Sequence, residues 1–276
     1  MSGRKEVNPM STDTTQELTI DAEGPIPVTF NDAGSGHTFL LLHGGAGPQS
    51  VTGFANLLAT TKGGRVITPT HPGFGGTSRP ERMDSIKALA RLYVALLDSL
   101  ELANVTVIGN SIGGWIAAEI ALLGSPRVGS LVLVDAAGIE VEGHPAADFF
   151  SLSLDEVAQL SYYDPIKFKI DPSTMPEALR AAFAGNRASL AVYGGPSMGD
   201  ETLKGRLAGV TVPTLVLWGD SDRMFDTEYG RAYAASIPGA AFTLLSKTGH
   251  VPQIETPEQL LDPISDFATA HAQLTR

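Results

Sequence analysis

The sequence contains no cysteine. Disulfides, thiolate metal sites and a thiol nucleophile are therefore excluded together. Positive charge is also scarce, with 19 Lys and Arg against 30 Asp and Glu and a formal net charge of −11. The cations are scattered rather than gathered into a stripe, so neither nucleic acid nor an anionic membrane is an expected partner. No apolar run approaches the roughly 18 to 20 residues of a membrane span. The opening stretch MSGRKEVNPMSTDTTQ is polar, without the apolar centre of a secretory leader, and the expected compartment is the cytoplasm. The histidines show no metal-ligand spacing, and no cofactor motif is present.

What is present is material for a large core. The chain has 276 residues at 43% hydrophobic content, enough for one sizeable domain or a domain with an insertion. Residues 1–16 lack hydrophobic periodicity and read as a disordered tail. From residue 17 onward, short apolar runs alternate with helical patterns. Two short strands are expected between 17 and 32. Further strands are expected at 38–42, 65–70, 104–108, 128–134, 214–218 and 241–245. Helices are expected at 50–60, 82–100, 112–123, 227–236 and 257–273. This rhythm implies the α/β class, a mostly parallel central sheet with helices on both faces. It breaks between 139 and 207, where helical pieces near 154–162 and 176–183 replace the buried strands. A helical cap inserted after the sixth strand is expected there, dividing the core into 17–138 and 208–276. The segment carries seven of the nineteen aromatics: Phe149, Phe150, Tyr162, Tyr163, Phe168, Phe183 and Tyr193. They fit a small cap core and an apolar substrate lining equally well.

The stretch Val107 to Leu123, VIGNSIGGWIAAEIALL, turns from strand to helix at Ser111. Gly109 and Gly113 stand two residues to either side, where the absence of side chains lets strand and helix approach and pushes the serine hydroxyl out on top. The same five-residue pattern recurs at Gly195, Ser197 and Gly199. There Pro196 precedes the serine and Asp200 follows the last glycine, so that copy reads as a turn. Four polar clusters fall at the carboxyl ends of expected strands, where an open α/β sheet places its active site. They are His43-Gly44-Gly45, Ser111, Asp220 to Asp222, and His250.

The order Ser, Asp, His is the one that accompanies this elbow, and the chain resembles the α/β-hydrolase fold superfamily from about residue 17 to its end. The HGG loop at 43, the HPGFGGTS loop at 71, the GNSIGG elbow, the WGDSDR loop at 218 and the TGH histidine at 250 stand in family order. The resemblance implies Ser111 as nucleophile and His250 as its base. Asp222 is implied as the orienting acid, in preference to Asp220 and with Asp135 as runner-up. It also implies an oxyanion hole of the Gly45 and Ile112 amides, with Ala46 as alternative for the first. It implies no cofactor. His43 and His71 are read as shaping their loops, and His37, His144 and His271 as surface residues.

Relatives resembling haloalkane dehalogenases and epoxide hydrolases carry aspartate at the elbow, so serine there disfavours those reactions. Hydrolysis of a small, apolar carboxylic ester through an acyl-enzyme is the leading expectation. GNSIGG is also similar to the GNSMGG elbow of carbon-carbon bond hydrolases that act on aromatic ring-cleavage products. Those enzymes place tryptophan after the late histidine, where this chain has Val251-Pro252-Gln253. Perhydrolase chemistry would be a side reaction of the same residues, and a receptor-like binding protein on this fold is the non-enzyme alternative.

Overall fold

Within each central strand, alternate large aliphatic residues sort onto opposite faces, and that alternation builds the two halves of the core. In a computed structural model of the chain, which describes residues 12–21, 23–169 and 172–272, β3 (Thr38–Leu42) turns Leu40 and Leu42 to one face and Phe39 and Leu41 to the other. The strands preceding β3 are β1 (Thr12–Thr19) and β2 (Pro25–Gly34). After it come α1 (Gln49–Lys62), β4 (Arg65–Pro69), α2 (Ile86–Ser99), β5 (Val105–Asn110), α3 (Ile112–Leu122) and β6 (Val128–Val134). The segment expected as a cap holds α4 (Leu154–Ser161), α5 (Pro165–Phe168), α6 (Glu177–Gly194) and α7 (Leu203–Arg206). The core then resumes with β7 (Thr214–Gly219), α8 (Thr227–Ala235), β8 (Ala241–Leu245), α9 (Pro252–Glu255) and α10 (Pro257–Ala272).

The eight strands form one sheet in the order β1-β2-β4-β3-β5-β6-β7-β8. Pairings β1 with β2 and β2 with β4 are antiparallel, and all others are parallel. Residues of α2, α3 and α8 close one face, while α1 and α10 close the other. Helix α3 is buried almost throughout, including Trp115 and Glu119, because it is sandwiched between the sheet and α2 and so presents apolar side chains on every side.

Two expectations change. Thr12 to Gln16, placed in the tail by their polarity, are the first residues of β1, and Thr12 to Thr19 run antiparallel to Pro25–Asp32. A β-branched, threonine-rich stretch suits an edge strand with solvent on one side, which hydrophobic periodicity does not register. Residues 1–11 lie outside the described residues. Helix α6 extends to Gly194, well past the expected end near 183, because Asn186 and Ser189, which weaken a helical pattern, are buried against core loops instead of facing water.

The cap is tied down at several points. Arg187 on α6 donates through Nη2 to the carbonyls of Phe149, Phe150 and Leu152 and lies over both phenylalanine rings. Arg206 on α7 makes a forked ion pair with the buried Glu119 of α3 at 2.8 and 2.5 Å. Tyr162 stacks on Phe168, and Tyr193 donates to the Pro72 carbonyl. Several of the cap aromatics therefore hold the cap together and to the core.

Candidate active site

Ser111 joins β5 to α3 in a backbone conformation, φ 57° and ψ −122°, that side chains avoid at a cost of about 1 to 3 kcal/mol. Both of its peptide groups are pinned. Its N–H donates to Val134, and its carbonyl accepts from Gly114, Trp115 and Ala137 at 2.9 to 3.2 Å. Glycine is required beside it for close approach: a Cβ on Gly109 would run into the backbone of Gly113 and Gly114, and one on Gly113 into the carbonyls of Leu42 and His43. Ile112 opens α3, so its N–H has no intrahelical partner and sits at the positive end of the helix dipole.

The loop after β3 lies directly against this corner, since a Cβ on Gly44 would stand 3.2 Å from Ser111 Cβ. Two buried histidines set its geometry. His43 Nε2 accepts from the His71 N–H (3.1 Å), which leaves the proton on Nδ1, where it donates to the Gly44 carbonyl (2.7 Å). His71 donates from Nε2 to the His43 carbonyl and accepts at Nδ1 from the Tyr93 hydroxyl. Both rings are thereby held neutral. Burial pushes His43 down to about 4, and burial followed by the adjacent His43 pushes His71 well below the usual histidine range. The unfolded chain takes up protons on these side chains near pH 6.5 while the folded one resists, so folded stability falls as pH drops. The expected result is a urea midpoint that declines from pH 6.5 to about 4, with a shallower decline in a His43→Asn variant. Equal slopes would remove His43 as a cause.

At the other side, β7 ends in a loop whose aspartates divide the work. Asp220 caps the loop, with Oδ1 accepting from Ser221 Oγ and the Thr248 N–H. Asp222, buried, accepts from the Met224 and Phe225 amides at Oδ1 (2.7 and 3.2 Å) and from His250 Nδ1 at Oδ2 (2.8 Å). That bond places the His250 proton on Nδ1 and leaves a lone pair on Nε2. The His250 loop is fixed from both the core and the cap. Its N–H donates to Ser161 (2.7 Å), its carbonyl accepts from Asn110 Nδ2 (3.0 Å), and its ring lies 5.4 Å from that of Phe225.

Asp135 follows β6, is fully buried and has φ 45°. Its Oδ1 accepts from the Gly219 N–H at 2.8 Å, and the carboxyl also borders that of Asp222. Burial first, then the charge of Asp222, raises its pKa well above the ordinary carboxylate value, which favours the protonated form of Asp135 beside the Asp222–His250 pair.

The structure thus brings Asp222 to His250 and the Gly44–Gly45 loop to Ser111. Among the described residues no hydrogen bond joins Ser111 Oγ to His250, a bond that commonly tightens only when ligand is bound. Ser197 lies in the turn after α6, where its hydroxyl bonds the Gly199 carbonyl. His37, expected at the surface, is half-buried and bonded to Thr106. Asn110 and Gln253 carry more than their sequence positions suggested. Gln253 Nε2 donates to Asn110 Oδ1 while Asn110 Nδ2 spans the Val134 and His250 carbonyls, stitching the elbow to the histidine loop. The only signal in the sequence was polar residues at otherwise apolar positions. No group of three or more His, Asp or Glu side chains able to hold a metal occurs among the described residues.

An eight-stranded, mostly parallel sheet with a strained serine at its central corner and cap helices after β6 defines a hydrolase of the α/β type. The chain belongs to the Alpha/beta hydrolase family, which it matches over residues 39–262. Its relatives include Lipase 1 of Psychrobacter immobilis, 28% identical over 268 residues that cover 91% of this chain and 83% of the lipase. They also include the 2-hydroxy-6-oxo-6-(2'-aminophenyl)hexa-2,4-dienoic acid hydrolase of Metapseudomonas resinovorans, 28% identical, with 92% and 91% covered. The fold is shared with a thermophilic esterase from Thermogutta terrifontis at a TM-score of 0.76 and 23% identity, covering 94% of this chain and 99% of that one. No helix among the described residues is long and apolar enough to cross a membrane.

Proposed function

We propose that this protein is a serine carboxylesterase in which Ser111, His250 and Asp222 form the catalytic triad and the Gly45 and Ile112 amides form the oxyanion hole. The observation that carries the reading is the Asp222–His250 bond at 2.8 Å. It fixes the imidazole tautomer a serine nucleophile needs, on a loop that Asn110, the neighbour of Ser111, holds by its main chain.

In this mechanism His250 Nε2 takes the Ser111 proton as Oγ attacks the ester carbonyl, and the charge on the imidazolium is stabilised by Asp222. The carbonyl oxygen becomes an oxyanion held by the two amides. His250 then passes its proton to the departing alcohol, leaving an acyl-enzyme. Water, deprotonated by the same Nε2, releases the acid and restores Ser111. Leu190 packs on Gly45 and the Phe225 ring lies beside that of His250, apolar neighbours that support an apolar acyl group. The cap comprises residues 139–207, inserted in a core that begins with β1 at Thr12, runs to 138 and resumes at 208.

Fluorophosphonate tests the reading. Wild-type protein is expected to be labelled at Ser111 and Ser111→Ala to be unlabelled, whereas an unlabelled wild type would sink the serine-hydrolase reading. A second reading, cleavage of a carbon-carbon bond in a vinylogous diketone, is favoured by relatives such as the Metapseudomonas enzyme, aligned over 91% of its length. Nitrophenyl esters are expected to turn over faster than such a diketone, and the reverse ranking would exchange the two readings.

A further inference from the structure

We propose that Asn186, on cap helix α6, is a positioning residue for the oxyanion hole, heading a chain of hydrogen-bonded peptide groups that ends at the Gly45 N–H. The inference rests on the proposed esterase reading and adds a cap residue to the machinery that reading assigns to the core.

Asn186 is 1% exposed, and its amide is fully oriented by its partners. Oδ1 accepts from the Gly75 N–H at 2.8 Å, so Nδ2 is the group that faces the Ala46 carbonyl, at 3.1 Å. That carbonyl shares a rigid peptide plane with the Gly47 N–H, which donates to the Gly44 carbonyl at 3.1 Å. The Gly44 carbonyl in turn shares its plane with the Gly45 N–H. Within a trans peptide the C=O and N–H point in opposite directions, so fixing each carbonyl fixes the amide behind it. The sequence of donors is therefore Asn186 Nδ2, Gly47 N, Gly45 N, and the last of these is the proposed oxyanion donor.

Each link also polarises the next, since hydrogen bonds in series through a low-dielectric interior reinforce one another. The Gly44 carbonyl has a second donor in His43 Nδ1, and the Ala46 carbonyl a second in Gln49 Nε2 (2.8 Å) from α1. Asn186 is the link that comes from the cap. A Cβ on Gly47 would collide with Asn186 Nδ2, so the glycine leaves room for this amide to reach the loop. Three more residues on the same face of α6 meet the core loops: Ser189 bonds Gly73, Leu190 packs on Gly45, and Tyr193 bonds Pro72. A helix held along that face moves with the oxyanion loop and does not swing over it as a lid.

The experiment compares Asn186→Ala, Gln49→Ala and Ser189→Ala, each scored for ester kcat and KM and for inhibition by a small alkyl boronic acid, whose adduct with Ser111 copies the tetrahedral intermediate. Asn186→Ala is expected to lower kcat by about 10- to 100-fold with KM within about threefold, and to weaken the boronic acid by a similar factor. Gln49→Ala removes the other donor to the same carbonyl without touching the cap and is expected to do the same more weakly. Ser189→Ala removes a cap-to-loop bond that is not on the chain and is expected to leave kcat within about twofold. Unchanged kcat and boronate affinity in Asn186→Ala would overturn the proposal, as would a rise in KM alone, which is what a merely structural cap contact gives. Should Asn186→Ala fail to fold, Gln49→Ala decides by the same criteria. Fluorophosphonate labelling of the wild type at Ser111, measured alongside, separates failure of this inference from failure of the esterase reading.

Discussion

Asp222→Asn is expected to lower ester kcat by about ten-thousandfold, the loss seen for the equivalent change in another serine hydrolase, whereas Asp135→Asn leaves it within about threefold. The asymmetry follows from which oxygen each neighbour fixes. Two backbone N–H groups, of Met224 and Phe225, point at Asp222 Oδ1 and keep that position an acceptor. In the Asp222→Asn variant the amide nitrogen must then occupy the Oδ2 position, where it offers a proton to His250 Nδ1. The imidazole responds by carrying its own proton on Nε2, and the base is lost. In Asp135→Asn the Gly219 N–H likewise holds one side as acceptor. There the new amide N–H takes the place of Asp135 Oδ2, on the carboxyl that borders Asp222, and leaves the Asp222–His250 bond in place. Steady-state turnover of a nitrophenyl ester by both variants decides the matter. Collapse in Asp135→Asn with activity kept in Asp222→Asn would move the triad acid to Asp135.

Gly109→Ala is the second large effect, expected on stability and activity together. The added methyl would meet the carbonyl and carbon of Gly113 and the amide of Gly114. All are backbone atoms in the first turn of α3, and no rotamer change relieves the contact. Overpacking in a core ordinarily costs about 1 to 3 kcal/mol, and a clash between two main chains belongs at or above the top of that range. At roughly 2 to 4 °C per kcal/mol for a domain of this size class, Tm is expected to fall by about 6 to 12 °C. Because α3 must shift to make room, Ser111 and the Ile112 amide shift with it, and ester turnover is expected to fall at least about tenfold. Gly53→Ala is the control, on an exposed stretch of α1 with open space around the new methyl. It is expected to gain about 0.5 to 1 kcal/mol from helix propensity. A Gly109→Ala melt within about 2 °C of wild type, less than the shift expected for 1 kcal/mol, would show that strand and helix have room the structure denies them.

Local chemistry made much of this protein legible from its residues. The β-branched runs and 3.6-residue patterns marked β3 to β7 and most core helices, because burial on both faces of a parallel sheet imposes those periods wherever the chain enters it. The edge strand β8, largely exposed, was marked by its apolar run alone. Glycine at 109 and 113 marked the corner at Ser111, since only a residue without a side chain permits that approach. The succession of polar clusters at strand ends, at His43, Ser111, Asp222 and His250, followed from the rule that α/β sheets gather their sites at one edge.

What the chain order could not fix was decided where distant segments meet. Asp135 and Asp222 are both aspartates at strand ends, and sequence reading had to rank them by resemblance. Their difference arises only in space, where Met224, Phe225 and His250 supply hydrogen-bond donors to one carboxylate while burial beside it raises the pKa of the other. Asn186, a polar residue within cap helix α6, lies 140 positions from the carbonyl of Ala46 that it holds. Hydrophobic period reports which face of an element is buried. It carries no information about which polar atom a buried amide will find, because that depends on the meeting of a cap helix and two loops that share no local sequence.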